Sequence, residues 1–227
     1  HLSIRRQRQM CIRDRDYKLA DHSCECCRIA MTNTPDGKVA AVWRHVFGEQ
    51  TRDHGFAVLP DASAVSAQGQ IKTPVRSTFD DWQINACPHH GPGLAVYNAK
   101  ATQTGFHMVW FGIRKQEGQD VAGVRYARLS DKGQPLLDTV RALPDARAEH
   151  ADVMAHKQRV VVVWRASDGS ATSLKAWVSD DEGQNFSFKV LGQTTGPNDH
   201  PRIVQRSEKM LVVWRDTKEI KVYDVSQ

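Results

Sequence analysis

Long apolar runs and helical periodicity are both missing from this sequence of 227 residues. No apolar run approaches the roughly 20 residues that a membrane-spanning helix needs. No long stretch keeps the 3.6-residue period of an amphipathic helix, so we expect little helix. The sequence therefore predicts a protein without a membrane span, built mainly from strands.

A basic surface for nucleic acid is also lacking, although the formal net charge is +5. Residues 1–15 contain five arginines and one aspartate, and the rest of the chain carries 26 basic and 25 acidic side chains. A nearly neutral fold offers no patch that would neutralise phosphates, so we expect no nucleic-acid partner.

Residues 1–15 have no amphipathic period and no turn pattern. They resemble a translated sequencing-adapter scar, and the alternative is a basic disordered tail. Segments of non-native origin are excluded from fold reasoning. We therefore expect the fold to occupy residues 16–227, with the natural N-terminus and any signal peptide missing.

A strand-like block that ends in tryptophan occurs four times in the chain. The tryptophans are 67, 54 and 50 residues apart, and a short apolar segment precedes each block. Alternating strands and glycine-containing turns follow several of the blocks. Four strands per 40–50 residues are typical of a β-propeller blade. The blocks are Val39–Arg44, Phe106–Phe111, Val160–Arg165 and Met210–Arg215.

The sequence thus predicts an all-β fold with about four four-stranded blades, interpreted as part of a larger ring of six or so. The longest spacing predicts an insertion within residues 45–88. In such a ring the inner strands begin, and the tryptophan strands end, at one rim of the central channel.

Residues 179–186, SDDEGQNF, match the Asp-box pattern Ser-x-Asp-x-Gly-x-x-aromatic and lie between predicted third and fourth strands. Ser179 and Asp181 suit a hydrogen-bonded turn, Gly183 suits a positive φ, and Phe186 suits the blade edge. The chain therefore resembles the sialidase-like (BNR-repeat) propellers. The segments CECCR from Cys24 and ACPHHGP from Ala86 resemble bacterial proteins labelled exo-alpha-sialidase. The box indicates a fold and says little about chemistry.

The resemblance implies that the channel rim holds the ligand site. Guanidinium groups pair bidentately with carboxylates, as sialidases use them, and histidines recur before the inner strands. The alternatives are that the arginines cap the tryptophan strands or pair with neighbours such as Asp216, and that the histidines are structural. The candidate ligand-binding residues are Arg28, Arg44, Arg165, Arg202, Arg215, His150 and His200.

Thiols and imidazoles are also concentrated before the first two inner strands. Thiolate with imidazole suits Cu(I) or Zn. The alternatives are a disulfide between Cys87 and one of Cys24, Cys26 and Cys27, which an oxidising compartment would favour, or inert packing. The candidate metal ligands are Cys24, Cys26, Cys27, Cys87, His89 and His90.

Three functional hypotheses follow from these residues. The leading one is a periplasmic or secreted propeller that binds a ligand at the channel rim, best interpreted as a Cu or Zn ion. The second is a glycoside hydrolase of the sialidase type acting on an acidic sugar. The resemblance to sialidases implies a tyrosine nucleophile, and none of the four tyrosines has a recognisable catalytic context. The third is a protein-interaction scaffold.

Overall fold

The computed structural model describes residues 19–59, 74–100 and 103–226, without the side chains of residues 98–100, 103 and 104. Four antiparallel sheets form the blades of a β-propeller. The described residues contain a single 3₁₀ turn, Leu137–Thr139, and no other helix. The predicted all-β propeller is confirmed. Residues 1–15, predicted to lie outside the fold, are outside the described residues.

Each sheet follows the chain from the inner strand outwards, with consecutive strands paired. The first blade contains β1 (Ala30–Asn33), β2 (Val39–Arg44), β3 (His54–Val58) and β4 (Val75–Arg76). The second contains β5 (Gly93–Lys100), β6 (Gln103–Gln116), β7 (Gln119–Ser130) and β8 (Arg141–Ala142). The third contains β9 (Ala148–His156), β10 (Arg159–Ser167), β11 (Thr172–Ser179) and β12 (Ser187–Thr194). The fourth contains β13 (Arg202–Arg206), β14 (Lys209–Arg215) and β15 (Ile220–Asp224).

The tryptophan strands are the second strand of every blade, and neighbouring blades bury their faces. Residues 160–164 of β10 are all fully or almost fully buried. Val160, Val162 and Trp164 pack towards the second blade, while Val161 and Val163 pack towards the fourth. Because successive side chains of a strand point to opposite faces, burial on both sides requires a continuous apolar run.

Two expectations about blade composition need correction. The region predicted as an insertion, residues 45–88, contains the third and fourth strands of the first blade, β3 and β4. The fourth sheet has three strands among the described residues rather than four. The fourth strands of the first two blades have only two residues each, which is too short to leave an alternating pattern in the sequence.

The turn between β11 and β12 contains the interactions predicted for residues 179–186. Gly183 N donates to Ser179 Oγ (2.8 Å), and Asn185 N donates to Asp181 Oδ1 (2.8 Å). Gly183 has φ +80°, which favours glycine. The Phe186 ring stacks on Trp177 of the same blade. The segment therefore stabilises the blade and lies away from the rim.

Candidate functional site

The segments before the inner strands and the ends of the tryptophan strands lie side by side. Ser23 forms a bridge with His45 in the first blade, and Asn198 forms one with Asp216 in the fourth. In the third blade, Glu149 pairs with Arg165. This adjacency brings the candidates of these three blades to the same end of their strands.

Stacked aromatic rings run along this rim across three blades. His150 lies between His90 and His200, with ring centroids 4.7 Å and 3.5 Å away. The Phe111 ring stacks on the other face of His90 at 4.0 Å, and Trp82 meets Phe111 edge-on at 5.8 Å. We call His90, His150 and His200 the histidine column. The sequence predicted the shared position of these histidines but not their stacking.

The histidine column is neutral near pH 7. Burial, followed by the positive charge of Arg44, lowers the pKa of His90 to about 4. Burial and the neighbouring histidines lower the pKa of His150 to about 3. Burial and the charge of Arg165 lower the pKa of His200 to about 4. Neutral imidazoles can stack closely because they do not repel one another as imidazolium ions would.

Arg44 joins the first two blades from the interior. Its side chain is 1% exposed and donates to the carbonyl oxygens of Arg52 (2.7 Å), His90 (3.1 Å) and Phe111 (2.6 Å). Its guanidinium also lies over the Trp82 ring, 5.1 Å from the centroid. Burial lowers the pKa of Arg44. With its donors directed at backbone oxygens, Arg44 serves to hold the blades together.

Arg28 and Arg202, from the first and fourth blades, flank Asp152 of β9. Arg28 donates to the carbonyl oxygens of Pro92 and Ala151, and its Nη1 is buried without a hydrogen-bond partner among the described residues. Arg202 is half-exposed, and its Nη1 lies 3.9 Å from Asp152 Oδ2. Burial and the positive charge of Arg202 together lower the pKa of Arg28 to about 10, against the opposing effect of Asp152.

Asp152 is a largely buried carboxylate between these two arginines. Its Oδ2 accepts a hydrogen bond from Ile203 N at 3.1 Å. Burial raises the pKa of Asp152, while the Ile203 amide and the two arginines oppose that rise. Asp152 was not among the residues predicted from the sequence, although its position near His150 on an inner strand was a usable signal.

The remaining two candidate arginines bind neighbouring groups. Arg165 donates to Asn198 O (2.6 Å) and pairs with Glu149 (3.1 Å). Arg215 is exposed and pairs with Asp199 at 3.4 Å. The alternative partner considered for the arginines, Asp216, pairs with Lys221 instead.

Three of the four candidate cysteines come together. The Sγ atoms of Cys24, Cys26 and Cys27 all lie within 4.8 Å of one another. Cys24 Sγ is 2.7 Å from Cys27 Sγ and 3.7 Å from Cys26 Sγ. The described cysteines are all free thiols, and Cys87 is exposed. His89 is exposed too, and the ring of His90 belongs to the histidine column.

A cleft beside the rim was not anticipated from the sequence. It lies between the segment 79–83 and the long β6–β7 hairpin, and its lining includes Phe79, Asp81, Trp82 and Lys115. Trp82 connects the cleft to the histidine column through Phe111. The length of β6 and β7, which project beyond the other strands, creates one wall.

The described tyrosines lie away from this rim. Tyr97 donates to Glu182, which is in the turn after β11 at the opposite end of the blade (2.8 Å). Tyr126 is fully buried against His107 (2.6 Å), and Tyr223 lies beside Gly192. Among the residues with described side chains, no tyrosine is therefore positioned as a nucleophile at the rim.

No protein-family model and no curated protein sequence matches this chain. Solved structures do match in fold. A GH32 β-fructofuranosidase from Bombyx mori has a TM-score of 0.51 at 14% identity, over 87% of this chain and 45% of that one. A family 117 glycoside hydrolase from Zobellia galactanivorans has a TM-score of 0.53 at 10% identity, over 93% and 71%. A Trypanosoma rangeli sialidase matches with a TM-score of 0.45 at 13% identity, over 94% and 37%.

The likenesses to the β-fructofuranosidase and the family 117 glycoside hydrolase define the class of fold. The chain is a β-propeller of the architecture found in glycoside hydrolases, and it spans about half the length of the β-fructofuranosidase. At such low identity the similarity concerns the fold alone. Within the described residues, no helix is long and apolar enough to span a membrane.

Proposed function

We propose that this propeller binds an acidic sugar at the channel rim, with Arg28 and Arg202 as the groups that hold the sugar's carboxylate. The observation that carries the proposal is the buried Nη1 of Arg28, a charged donor without a partner among the described residues. Leaving a buried donor unpaired costs about 1–3 kcal/mol, more if it is charged, and an incoming carboxylate recovers that cost.

The surroundings of Arg28 favour an anion over a neutral ligand. Arg202 is half-exposed, and within the described part of the chain its one ion pair is the 3.9 Å contact with Asp152, so its guanidinium is accessible to a ligand. The histidine column is neutral near pH 7, so the positive charge available to a ligand there is that of the arginines. A guanidinium pair recognises the planar carboxylate that distinguishes an acidic sugar from a neutral one.

Isothermal titration calorimetry with glucuronic acid, N-acetylneuraminic acid and glucose tests this proposal. Glucuronic acid differs from glucose by its carboxylate, so we expect binding of the acid and much weaker binding of glucose. Arg202→Gln should weaken binding about tenfold or more, as expected for one charge-assisted hydrogen bond. Arg215→Gln is the matched control, because it removes another exposed arginine of the same blade. Equal binding of glucose, or an equal loss in both variants, would refute the proposal.

Hydrolysis of a glycosidic bond is the second candidate function. The fold likeness to two glycoside hydrolases favours it, and so does Asp152, whose raised pKa suits a general acid. Asp152→Asn should abolish turnover of a fluorogenic glucuronide or sialoside while binding remains. If the wild-type chain binds the sugar but does not turn it over, the protein is a binding protein and the hydrolase hypothesis is wrong.

We further propose a periplasmic or secreted location, which cell fractionation tests. The hypothesis of a protein-interaction scaffold stays a prediction.

A further inference from the structure

We propose that Cys24, Cys26 and Cys27 form a three-thiolate site for a Cu(I) ion, separate from the acidic-sugar site. Their Sγ atoms lie within 4.8 Å of one another, close enough for a single ion to contact all three. Soft thiolate ligands select Cu(I) or Zn among the common metals.

The backbone fixes this arrangement. Cys24 N donates to Arg44 O (2.9 Å), which attaches the segment to the end of β2. A turn at Glu25 and Cys26 then reverses the chain. The turn brings the buried thiols of Cys24 and Cys27 together and leaves Cys26 exposed at the entrance. An ion can therefore enter from solvent and become partly buried.

The number of ligands favours Cu(I) over Zn. Structural Zn sites are almost always tetrahedral with four protein ligands. Among the described residues, no fourth cysteine, histidine or carboxylate joins the three thiols within the same distance of one another. Cys87 is an exposed thiol and does not belong to the set. A trigonal set of soft ligands suits Cu(I). The proposed site therefore contains three of the six metal ligands that the sequence suggested.

The buried Arg44 supplies the counter-charge. Among the described residues it forms no ion pair with a carboxylate, and thiolates formed at Cys27 and Cys24 on metal binding would interact favourably with its positive charge. Binding of Cu(I) would release three thiol protons to solvent and form three Cu–S bonds, without a change in oxidation state. The resulting group has a net charge of about −2, of which the Arg44 cation offsets half.

Anaerobic titration of the reduced protein with Cu(I), in competition with the chelator bathocuproine disulfonate, tests the site. We expect one tightly bound ion per chain and an X-ray absorption spectrum with sulfur neighbours only. Cys26→Ser should weaken Cu(I) binding by about 100-fold or more. Loss of a residue that only hydrogen-bonds to a metal ligand already costs about 10–100-fold in metal affinity, and this variant removes a ligand itself. Cys26 is exposed, so the variant should keep the fold, which near-UV circular dichroism of the metal-free protein checks.

Cys87→Ser is the matched control, since it removes an exposed thiol outside the three-thiolate set. We expect it to retain Cu(I) at wild-type affinity. An equal loss in Cys87→Ser, a preference for Zn, or a Cys24–Cys27 disulfide that persists under these reducing conditions would each overturn the proposal. Because Arg202→Gln should leave Cu(I) binding unchanged, failure of the sugar proposal and failure of this one can be told apart.

Discussion

Acidification should destabilise the protein, because the folded protein keeps the histidine column neutral while the same histidines gain protons in the unfolded chain. The pH is lowered from 6.5 to about 4.5. His150 is the histidine best suited to show the effect, because its side chain is only 10% exposed and its ring stacks between those of His90 and His200. Its folded-state pKa is about 3, against 6.5 for an ordinary histidine. Between these two values the unfolded chain binds more protons than the folded one, so stability is full above pH 6.5 and decreases as the pH falls towards 3.

The size of the loss in stability follows from the part of the interval between these two pKa values that the pH change covers. Each pH unit between the two pKa values is worth about 1.4 kcal/mol per histidine. The unfolded histidine is already half-protonated at its own pKa, so the loss over this interval is about 2 kcal/mol from His150 alone. His90 and His200, whose folded-state pKa values are lowered to about 4, add losses of their own, because they too are protonated in the unfolded chain and neutral in the folded one over this interval.

Urea denaturation followed by tryptophan fluorescence, at both pH values and constant ionic strength, measures the effect. His150→Asn should reduce the pH-dependent loss in the free energy of unfolding by about 2 kcal/mol. Asparagine tolerates the positive φ of this position, +51°. His22→Asn is the matched control, since His22 is exposed, has φ +57° and lies outside the column. A pH dependence in His150→Asn equal to that of the wild type would refute the reasoning.

Three further predictions concern the contacts that hold the blades. Gly91→Ala should cost about 1–3 kcal/mol in urea denaturation, because its Cβ would lie 2.6 Å from the Arg28 carbonyl oxygen. Gly123→Ala, which meets open space, should stay within about 0.5 kcal/mol, and equal costs would contradict this explanation. Asp181→Ala should lower the melting temperature by removing the turn hydrogen bonds, and an unchanged value would show that the turn does not need them. Arg44→Lys should destabilise the fold by about 2 kcal/mol or more, since lysine cannot reach three carbonyl oxygens at once; normal stability would contradict the structural role.

The tryptophan strands explain why so much of the fold could be predicted. A strand buried on both faces must be apolar at every position, and Val160–Trp164 shows that run directly. The outer strands have no such requirement. Val75–Arg76 in the first blade and Arg141–Ala142 in the second are too short to show a period. Without a recognisable fourth strand, the outer half of the first blade has the sequence appearance of an insertion.

The candidate site was only partly predictable, because its contacts come from different blades. Repeat position indicated that His90, His150 and His200 share a rim, but ring stacking depends on the angle between blades. The partners of Arg28 and Arg44 are mostly backbone carbonyl oxygens, which every residue carries and no sequence pattern marks. Cys24, Cys26 and Cys27 were candidate ligands from their closeness in sequence, but the turn that brings all three thiols together was not predicted, since an extended segment would direct Cys27 to the opposite face.

A crystal structure of the protein with glucuronic acid bound tests the central claim most directly. We predict the sugar carboxylate within hydrogen-bond distance of both Arg28 Nη1 and the Arg202 guanidinium, beside Asp152 and the histidine column. A sugar bound elsewhere on the propeller, or a carboxylate directed to solvent with Arg28 Nη1 still unpaired, would contradict it.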